Sequence, residues 1–143
     1  FYARVAPTPF ETTAKLIHFN TQAAALLGLD PAVPHDPPFV AAFSGHRALT
    51  GADPIAMLYA GHQFGHYVPQ LGDGRAILLG EITNPRGEQW EIQLKGSGQT
   101  PYSRGSDGRA VLRSSIREYL CSEAMHGLGI PTTRGLCLIG SAD

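Results

Sequence analysis

The sequence predicts an α+β fold in which helices pack beside an antiparallel sheet, and three observations lead to this prediction. Short helix-like segments punctuated by Gly and Pro occupy the first part of the chain. Residues 75–82 and 89–96 alternate apolar and polar side chains on either side of a turn, as strands do. Residues 109–129 then carry apolar residues at helical spacing. This order favours an antiparallel sheet.

Residues 1–65 are predicted to form a helical extension. Within it, the segment 20–30 can begin at Asn20 or Thr21, since either side chain can cap a helix, and Gly28 can end it. The segment is rich in Ala and Leu, which favour helices.

Two more helical segments are predicted in the same extension. Residues 34–45 begin with a Pro-rich stretch and continue into a helical turn or two. In the segment 52–65, Asp53 is a possible N-cap, and Pro54 would occupy the first helical position.

Residues 66–143 are predicted to form a second unit. It starts with a three-stranded meander and continues through a polar loop at 96–108 into the helix at 109–129. A last strand is expected at 134–140. Cys121 is expected to be a small buried hydrophobic residue of the helix. One apolar stripe of this helix comprises Leu112, Ile116, Tyr119, Leu120 and Ala124.

Composition restricts the classes of function. The 143 residues suffice for one domain with a core, and the net charge of −1 argues against a general nucleic-acid or membrane-surface binder. No apolar run approaches the roughly 20 residues that span a bilayer. Cys121 and Cys137 are isolated, which suits free thiols in a reducing compartment. Because the chain starts at Phe1 and stops in a strand-like run, we expect it to be part of a longer protein.

The tetrapeptide DGRA occurs twice, at 73–76 and 107–110. The first copy lies between predicted strands and the second precedes a helix, so they are not a structural repeat. In the first, glycines at positions 72 and 74 allow close approach of the backbone to a ligand, and Arg75 suits a phosphate. The alternative is a plain hairpin turn with a surface arginine.

The second copy is equally open to two interpretations. Asp107 can cap the following helix, or it can act with Gly108 in a loop that folds over a nucleotide. The region also has an excess of positive charge, which indicates either an anion-facing surface or a solvated helix face. The arginines concerned are Arg104, Arg109, Arg113 and Arg117.

Lys95 ends a predicted strand and precedes a Gly-Ser-Gly loop. A lysine there can bind phosphate as a point charge, although a solvated strand-end lysine has the same pattern. The order of Gly-rich turn, strand lysine and helix glutamate is that of the amino-terminal lobe of a protein kinase, so residues 66–143 are predicted to be a kinase-like nucleotide-binding lobe. Both Glu118 and Glu123 are available to pair with the lysine, and the apolar stripe favours Glu123 slightly.

His62 and His66 are spaced as in helical zinc sites. Gln63 replaces the catalytic glutamate of such sites, and Gly65 interrupts a helix. We therefore expect packed or solvent-exposed histidines here, not a metal site.

Two long segments are specific enough to identify a family. "YAGHQFGHYVPQLGDGRAILLGE" (59–81) and "QLKGSGQTPYSRGSDGRAVLRSSIREYLCSEAMHGLGIPTTR" (93–134) strongly resemble the selenoprotein O family. The resemblance implies a protein-kinase-like fold that binds ATP in a flipped orientation and transfers AMP to Ser, Thr or Tyr hydroxyls of proteins. UMP transfer is also attributed to bacterial members. The implied nucleotide contacts are Gly72, Gly74, Arg75, Lys95, Asp107 and Gly108, and the implied partner of the lysine is Glu118, which overrides Glu123.

The same resemblance places the catalytic Asp and the ligands of Mg²⁺ or Mn²⁺ downstream of this sequence. We therefore expect no catalytic residue and no metal ligand within it, and no transferase activity from it alone. The implied partners are the nucleotide and protein substrates, with no nucleic acid and no membrane. The expected location is cytoplasmic for a bacterial source and mitochondrial for a eukaryotic one. Alternatives are a kinase-type phosphotransferase and a non-catalytic nucleotide-binding module.

Overall fold

Antiparallel strand pairing organises residues 1–142, the part of the chain that this computed structural model describes. The α+β class and the antiparallel sheet are therefore confirmed. Asp143, at the end of the predicted second unit, lies outside the described residues. The strands are β1 (Tyr2–Arg4), β2 (Lys15–Phe19), β3 (Ile55–Met57), β4 (Gly61–Gln63), β5 (His66–Val68), β6 (Ala76–Thr83), β7 (Gln89–Lys95) and β8 (Cys137–Gly140), and the helices are α1 (Thr21–Leu26), α2 (Pro37–Phe43) and α3 (Leu112–Gly127).

The main sheet has the strand order β1-β3-β6-β7. Its longest pairing is the β6–β7 hairpin, closed by a turn in which the buried Asn84 side chain accepts hydrogen bonds from the backbone N–H groups of Arg86 and Glu88. Apolar side chains on the inner face of this hairpin form the core, because alternate residues of a strand point to the same side. The core consists of Ile77, Leu79 and Leu94, with Val5, Phe43, Leu49 and Ile92 packed against it.

The predicted three-stranded meander is only partly correct. β6 and β7 form the expected hairpin, but β5 pairs with β4 in a separate two-stranded hairpin. Phe64 and Gly65 make this second turn with φ of 52° and 79°, the conformation that two-residue hairpin turns require. β3 takes the place beside β6 that was expected for β5.

Residues 1–65 are not a helical extension. β1 and β3 pair with each other and join the sheet of β6 and β7, so backbone pairing runs across residue 65. The segment predicted as a helix from Asp53 is extended, and Ala56 in it is fully buried. Asp53 caps no helix there; its carboxylate accepts hydrogen bonds from Arg4 at 2.9 to 3.0 Å.

The predicted helix at 20–30 is confirmed in its main part by α1. Asn20 is the cap, and its Oδ1 accepts hydrogen bonds from the backbone N–H groups of Gln22 and Ala23, both at 3.1 Å. Gly28, past the end, has a φ of 70°, and a Cβ there would lie 2.5 Å from the ring of Pro85. α2 confirms the short helix expected within 34–45.

α3 lies beside a small two-stranded sheet of β2 and β8, which confirms the strand expected near 134–140. The helix starts three residues later than expected, at Leu112, and none of its sixteen residues, all of them described, is buried. The apolar stripe is thus not core: Leu120, for instance, is 60% exposed. Cys121 is exposed as well, contrary to expectation. No helix within residues 1–142 has the length and apolar character needed to span a bilayer.

The two thiols differ in environment, and we expect them to differ in reactivity. Burial raises the pKa of Cys137 to about 12, whereas Cys121 is exposed on α3. Because the thiolate is the nucleophile, iodoacetamide at mildly alkaline pH should alkylate Cys121 in the native protein and spare Cys137. Peptide mass spectrometry reads out both sites. Denaturant should make both thiols reactive, and equal labelling of the native protein would contradict the assignment.

Candidate functional site

Strand pairing brings two cations together at one end of the β6–β7 hairpin. Lys95, the last residue of β7, pairs with Ala76, and Arg75 immediately precedes β6. The backbone N–H of Gly96 donates to the carbonyl oxygen of Arg75 at 2.7 Å, which extends the pairing by one step. Both cationic side chains are exposed, and the Arg75 guanidinium has no hydrogen-bond partner within residues 1–142. This end of the hairpin is suited to an anionic ligand.

α3 supplies the counter-charge. The Nζ of Lys95 lies 2.5 Å from Oε1 of Glu118, so the structure pairs the lysine with this acid. The slight preference of the sequence pattern for Glu123 is wrong: Glu123 instead binds Arg134 through two hydrogen bonds of 2.7 Å. Five residues correspond to about 140° around a helix, so the two acids cannot face the same partner.

The first DGRA copy is held by its aspartate. Asp73 is buried, and its carboxylate accepts hydrogen bonds from the backbone N–H of Met57 and from the hydroxyl of Tyr59, both at 2.9 Å. Burial, together with this hydrogen bond to Asp73, raises the pKa of the Tyr59 phenol. The acid therefore ties the turn to the end of β3. Sequence reasoning missed this role, since no local pattern connects Asp73 to residues 14 and 16 positions earlier.

A polar loop packs directly on this first turn. The hydroxyl of Thr100 donates to the carbonyl oxygen of Asp73 at 2.6 Å, and that of Ser103 donates to Gly74 at 2.5 Å. A Cβ on Gly72 would lie 3.0 Å from the side chain of Tyr102, and one on Gly74 would lie 3.0 Å from its carbonyl oxygen. A side chain at either position would crowd this loop, and the φ of 68° at Gly72 favours glycine as well.

The second DGRA copy contacts the beginning of the same loop. The backbone N–H of Gly98 donates to the carbonyl oxygen of Gly108 at 3.3 Å. Gly108 has a φ of 70°, and a Cβ there would collide with the Gly98 carbonyl group. The exposed Asp107 does not cap α3, because its Oδ1 accepts a hydrogen bond from the backbone N–H of Arg109 at 2.9 Å and the helix begins only at Leu112. Both DGRA turns therefore contact one loop, 96–106.

The amino-terminal segment Thr8–Phe10 braces this loop. The backbone N–H of Thr8 donates to the carbonyl oxygen of Ser97 at 2.7 Å. Arg109 donates to the carbonyl oxygens of Thr8 and Pro9 at 2.9 and 2.7 Å, and its guanidinium lies 4.9 Å from the ring centroid of Phe10. Sequence reasoning missed this segment because its partners are about a hundred positions away.

The predicted arginine surface is corrected accordingly. Arg109 is engaged by main-chain carbonyls, so it is not a free anion-binding group. Arg104 donates to Gln63 at 2.7 Å, and Arg117 donates to Ser114 at 3.2 Å. These three arginines make contacts within the protein, whereas the exposed Arg113 has no hydrogen-bond or ion-pair partner within residues 1–142.

A cavity of about 930 Å³ opens between β7, α3 and β8. Its volume falls within the range of small-molecule sites, roughly 300 to 1,000 Å³. Arg75, Lys95 and Glu118 line its polar part, together with hydroxyls on the first turns of α3. Four predicted contacts do not line it and lie in the adjoining turns, namely Gly72, Gly74, Asp107 and Gly108.

The histidine pair lies elsewhere. His62 and His66 are on the two strands of the β4–β5 hairpin, not on one helical face. The ring of His62 packs against Tyr67 at a centroid distance of 5.5 Å.

Comparison with known proteins places this arrangement in a family. The family model described as protein adenylyltransferase SelO matches residues 1–143. A protein of Thiobacillus denitrificans named protein nucleotidyltransferase YdiU is 64% identical over 99% of this chain and 29% of its own length. Proteins of the same name from Myxococcus xanthus and Bordetella parapertussis are 62% and 61% identical over 99% and 100% of this chain. These matches cover 29% and 28% of the two relatives.

The chain thus spans less than a third of the length of these relatives, while the family model covers all of it. The first two relatives align with 99% of this chain at 64% and 62% identity. The expectation drawn from the two long sequence segments is confirmed, and the chain belongs to the SelO family of protein adenylyltransferases.

Proposed function

We propose that this chain forms the nucleotide-binding part of an enzyme that transfers AMP from ATP to Ser, Thr or Tyr hydroxyls of proteins. The observation that carries the proposal is the Lys95–Glu118 ion pair beside the unpartnered Arg75 on one wall of the cavity. The family description and the names of the relatives support the same reaction class.

The chemistry of these groups suits a polyphosphate. A lysine ammonium has three N–H donors, and the pairing with Glu118 uses one of them and holds the nitrogen in place. The other donors remain for phosphate oxygens, and the planar guanidinium of Arg75 can bind a second pair of oxygens. We assign Gly72, Gly74, Asp107 and Gly108 to nucleotide contacts made from the turns that border the cavity.

The arrangement also supports a kinase-like amino-terminal lobe. A Gly-rich turn, the strand β6, a lysine ending β7 and a glutamate on α3 follow one another as the corresponding parts do in protein kinases. The lysine–glutamate pair is the feature that such lobes use to hold the lysine toward phosphate.

The metal belongs to another part of the enzyme in this proposal. Within residues 1–142 no three or more His, Cys, Asp or Glu side chains are grouped as ligands of a metal ion. We assign the metal ligands and the base that activates the target hydroxyl to the remaining two thirds or more of a family-length polypeptide.

The same ion pair favours a second candidate, a kinase-type phosphotransferase, because kinases use it for phosphoryl transfer. Mass spectrometry separates the two reactions. After incubation of the natural full-length polypeptide with ATP and a divalent cation, we expect peptides of a protein substrate to carry AMP. A bare phosphate instead would contradict nucleotidyl transfer. Residues 1–143 alone should modify nothing, since the proposal assigns the metal ligands and the base to the rest of a family-length polypeptide.

The lysine can be tested against a matched control. Lys95→Ala should weaken ATP binding by about 10- to 100-fold, the value expected for loss of a charge-assisted hydrogen bond. Lys15→Ala removes the other lysine of the sequence, which lies on β2 and does not line the cavity, and should leave ATP affinity unchanged. Titration calorimetry measures both. Equal affinity of Lys95→Ala and the unmodified protein would place the nucleotide elsewhere.

The contact between the second DGRA turn and the loop 96–106 can be tested at Gly108. Gly108→Ala should destabilise the protein by about 1–2 kcal/mol for the left-handed backbone and a further 1–3 kcal/mol for the collision with Gly98. ATP binding should weaken with it, because the turn that carries Asp107 would move away from the loop that follows Lys95. Gly87→Ala is the control: its φ is 80°, but a Cβ there meets nothing within 4 Å.

Denaturant unfolding measures the two stabilities and calorimetry the two affinities. Gly87→Ala should cost only the backbone contribution and bind ATP normally. If both variants lost the same stability, Gly98 and Gly108 would not be in contact in the folded protein.

A further inference from the structure

α3 carries Glu118, yet the helix has little to hold it in one orientation. None of its residues, from Leu112 to Gly127, is buried. The Lys95 and Glu118 side chains are 50% and 57% exposed, and ion pairs that exposed to water contribute little to stability. The Lys95–Glu118 pair is therefore too weak to orient α3 by itself. It forms only when other contacts hold the helix in the right orientation.

The second ion pair of α3 is better protected from water. The Arg134 side chain is 8% exposed and the Glu123 side chain 24%, and the two are joined by two hydrogen bonds of 2.7 Å. A forked guanidinium–carboxylate contact fixes direction as well as distance. Arg134 lowers the pKa of Glu123 through these hydrogen bonds, so the acid stays charged.

Arg134 is itself held by the body of the protein. The residue after it, Gly135, accepts a hydrogen bond from the side chain of Asn20 at 3.0 Å, and the backbone N–H of Asn20 donates to Leu136 at 2.8 Å. Next to this point, the ring of Tyr119 on α3 packs edge-on against His18 of β2 at 5.2 Å. The contact thus joins α3 to the junction of β2, α1 and β8.

We propose that Glu123 and Arg134 are positioning residues, whose ion pair sets the rotation of α3 and thereby presents Glu118 to Lys95. The two acids lie about 140° and roughly 7.5 Å apart along the helix. The forked pair restrains the rotation and the axial position of α3 together with the Tyr119–His18 contact, whereas the exposed Lys95–Glu118 pair contributes little to either. The inference rests on the proposed function, in which the lysine contacts the nucleotide.

The ion pair should affect nucleotide binding only through Glu118. Arg134→Gln leaves Glu123 without its partner, so α3 should loosen, and Lys95 should lose its fixed counter-charge. We expect ATP affinity to fall by about two- to tenfold, within the range of couplings between interacting residues. Arg134→Lys keeps the charge but not the fork, and its affinity should be intermediate.

A double-mutant cycle in the natural full-length polypeptide tests this route. The variants are Arg134→Gln, Glu118→Gln and the two together, each measured by ATP titration calorimetry. If Arg134 acts through Glu118, the double variant should bind ATP no more weakly than Glu118→Gln alone. Additive losses would overturn the proposal, as would unchanged affinity in Arg134→Gln. Should that variant fail to fold, the same cycle is run with Arg134→Lys.

A control variant and two reference measurements separate this proposal from the proposed function. Arg86→Gln breaks an arginine–carboxylate pair with Glu88 that does not line the cavity, and it should bind ATP normally. If the unmodified protein bound no ATP, or if Lys95→Ala bound it equally well, the proposed function would fail. If both behaved as expected and only Arg134→Gln remained at full affinity, the positioning role alone would fail.

Discussion

Antiparallel pairing of β6 with β7 is the constraint on which the remaining structure depends. Its register places Ala76 opposite Lys95, and this alone makes Arg75 and the lysine neighbours at one end of the hairpin. The same two strands supply the buried Ile77, Leu79 and Leu94. The hairpin thus supplies both features. Its inward-facing side chains are apolar and form the core, and the charged residues at one end of its strands form the candidate site.

Close packing of loops, more than flexibility, accounts for the glycines of the site. The first DGRA turn is covered by Thr100 and Ser103, and the second meets Gly98 across a contact that admits no side chain. Asp73 ties the first turn to β3 by accepting a hydrogen bond from Met57, and the backbone N–H of Thr8 donates to the loop at Ser97. A site assembled from such tightly packed turns is organised before a ligand arrives, which lowers the entropic cost of binding.

Features that depend on contacts between residues close in the sequence could be predicted, whereas features that depend on distant residues could not. Asn20 and Gly28 bound α1 through contacts within a few residues, and the β6–β7 hairpin alternates visibly, so both could be predicted. The strand at Ile55–Met57 could not, because its partners lie some fifty residues before and twenty after it. Asp53 resembles a helix cap in the sequence but binds Arg4 of a distant strand.

The amino-acid sequence by itself determined the α+β class, the family and the residue types of the site. Composition, local periodicity and the two long family-specific segments depend only on the order of residues along the chain. The family resemblance implied Glu118 as the partner of Lys95 while the local pattern slightly favoured Glu123, and only the tertiary structure supplied the physical reason for the choice. Glu118 and Glu123 are the same type of residue on the same helix. Arg134 lies beside Glu123 because it comes just before strand β8, which pairs with β2. Choices of that kind depend on where distant segments meet in space, because an ion pair needs a particular distance and direction, which local patterns do not encode.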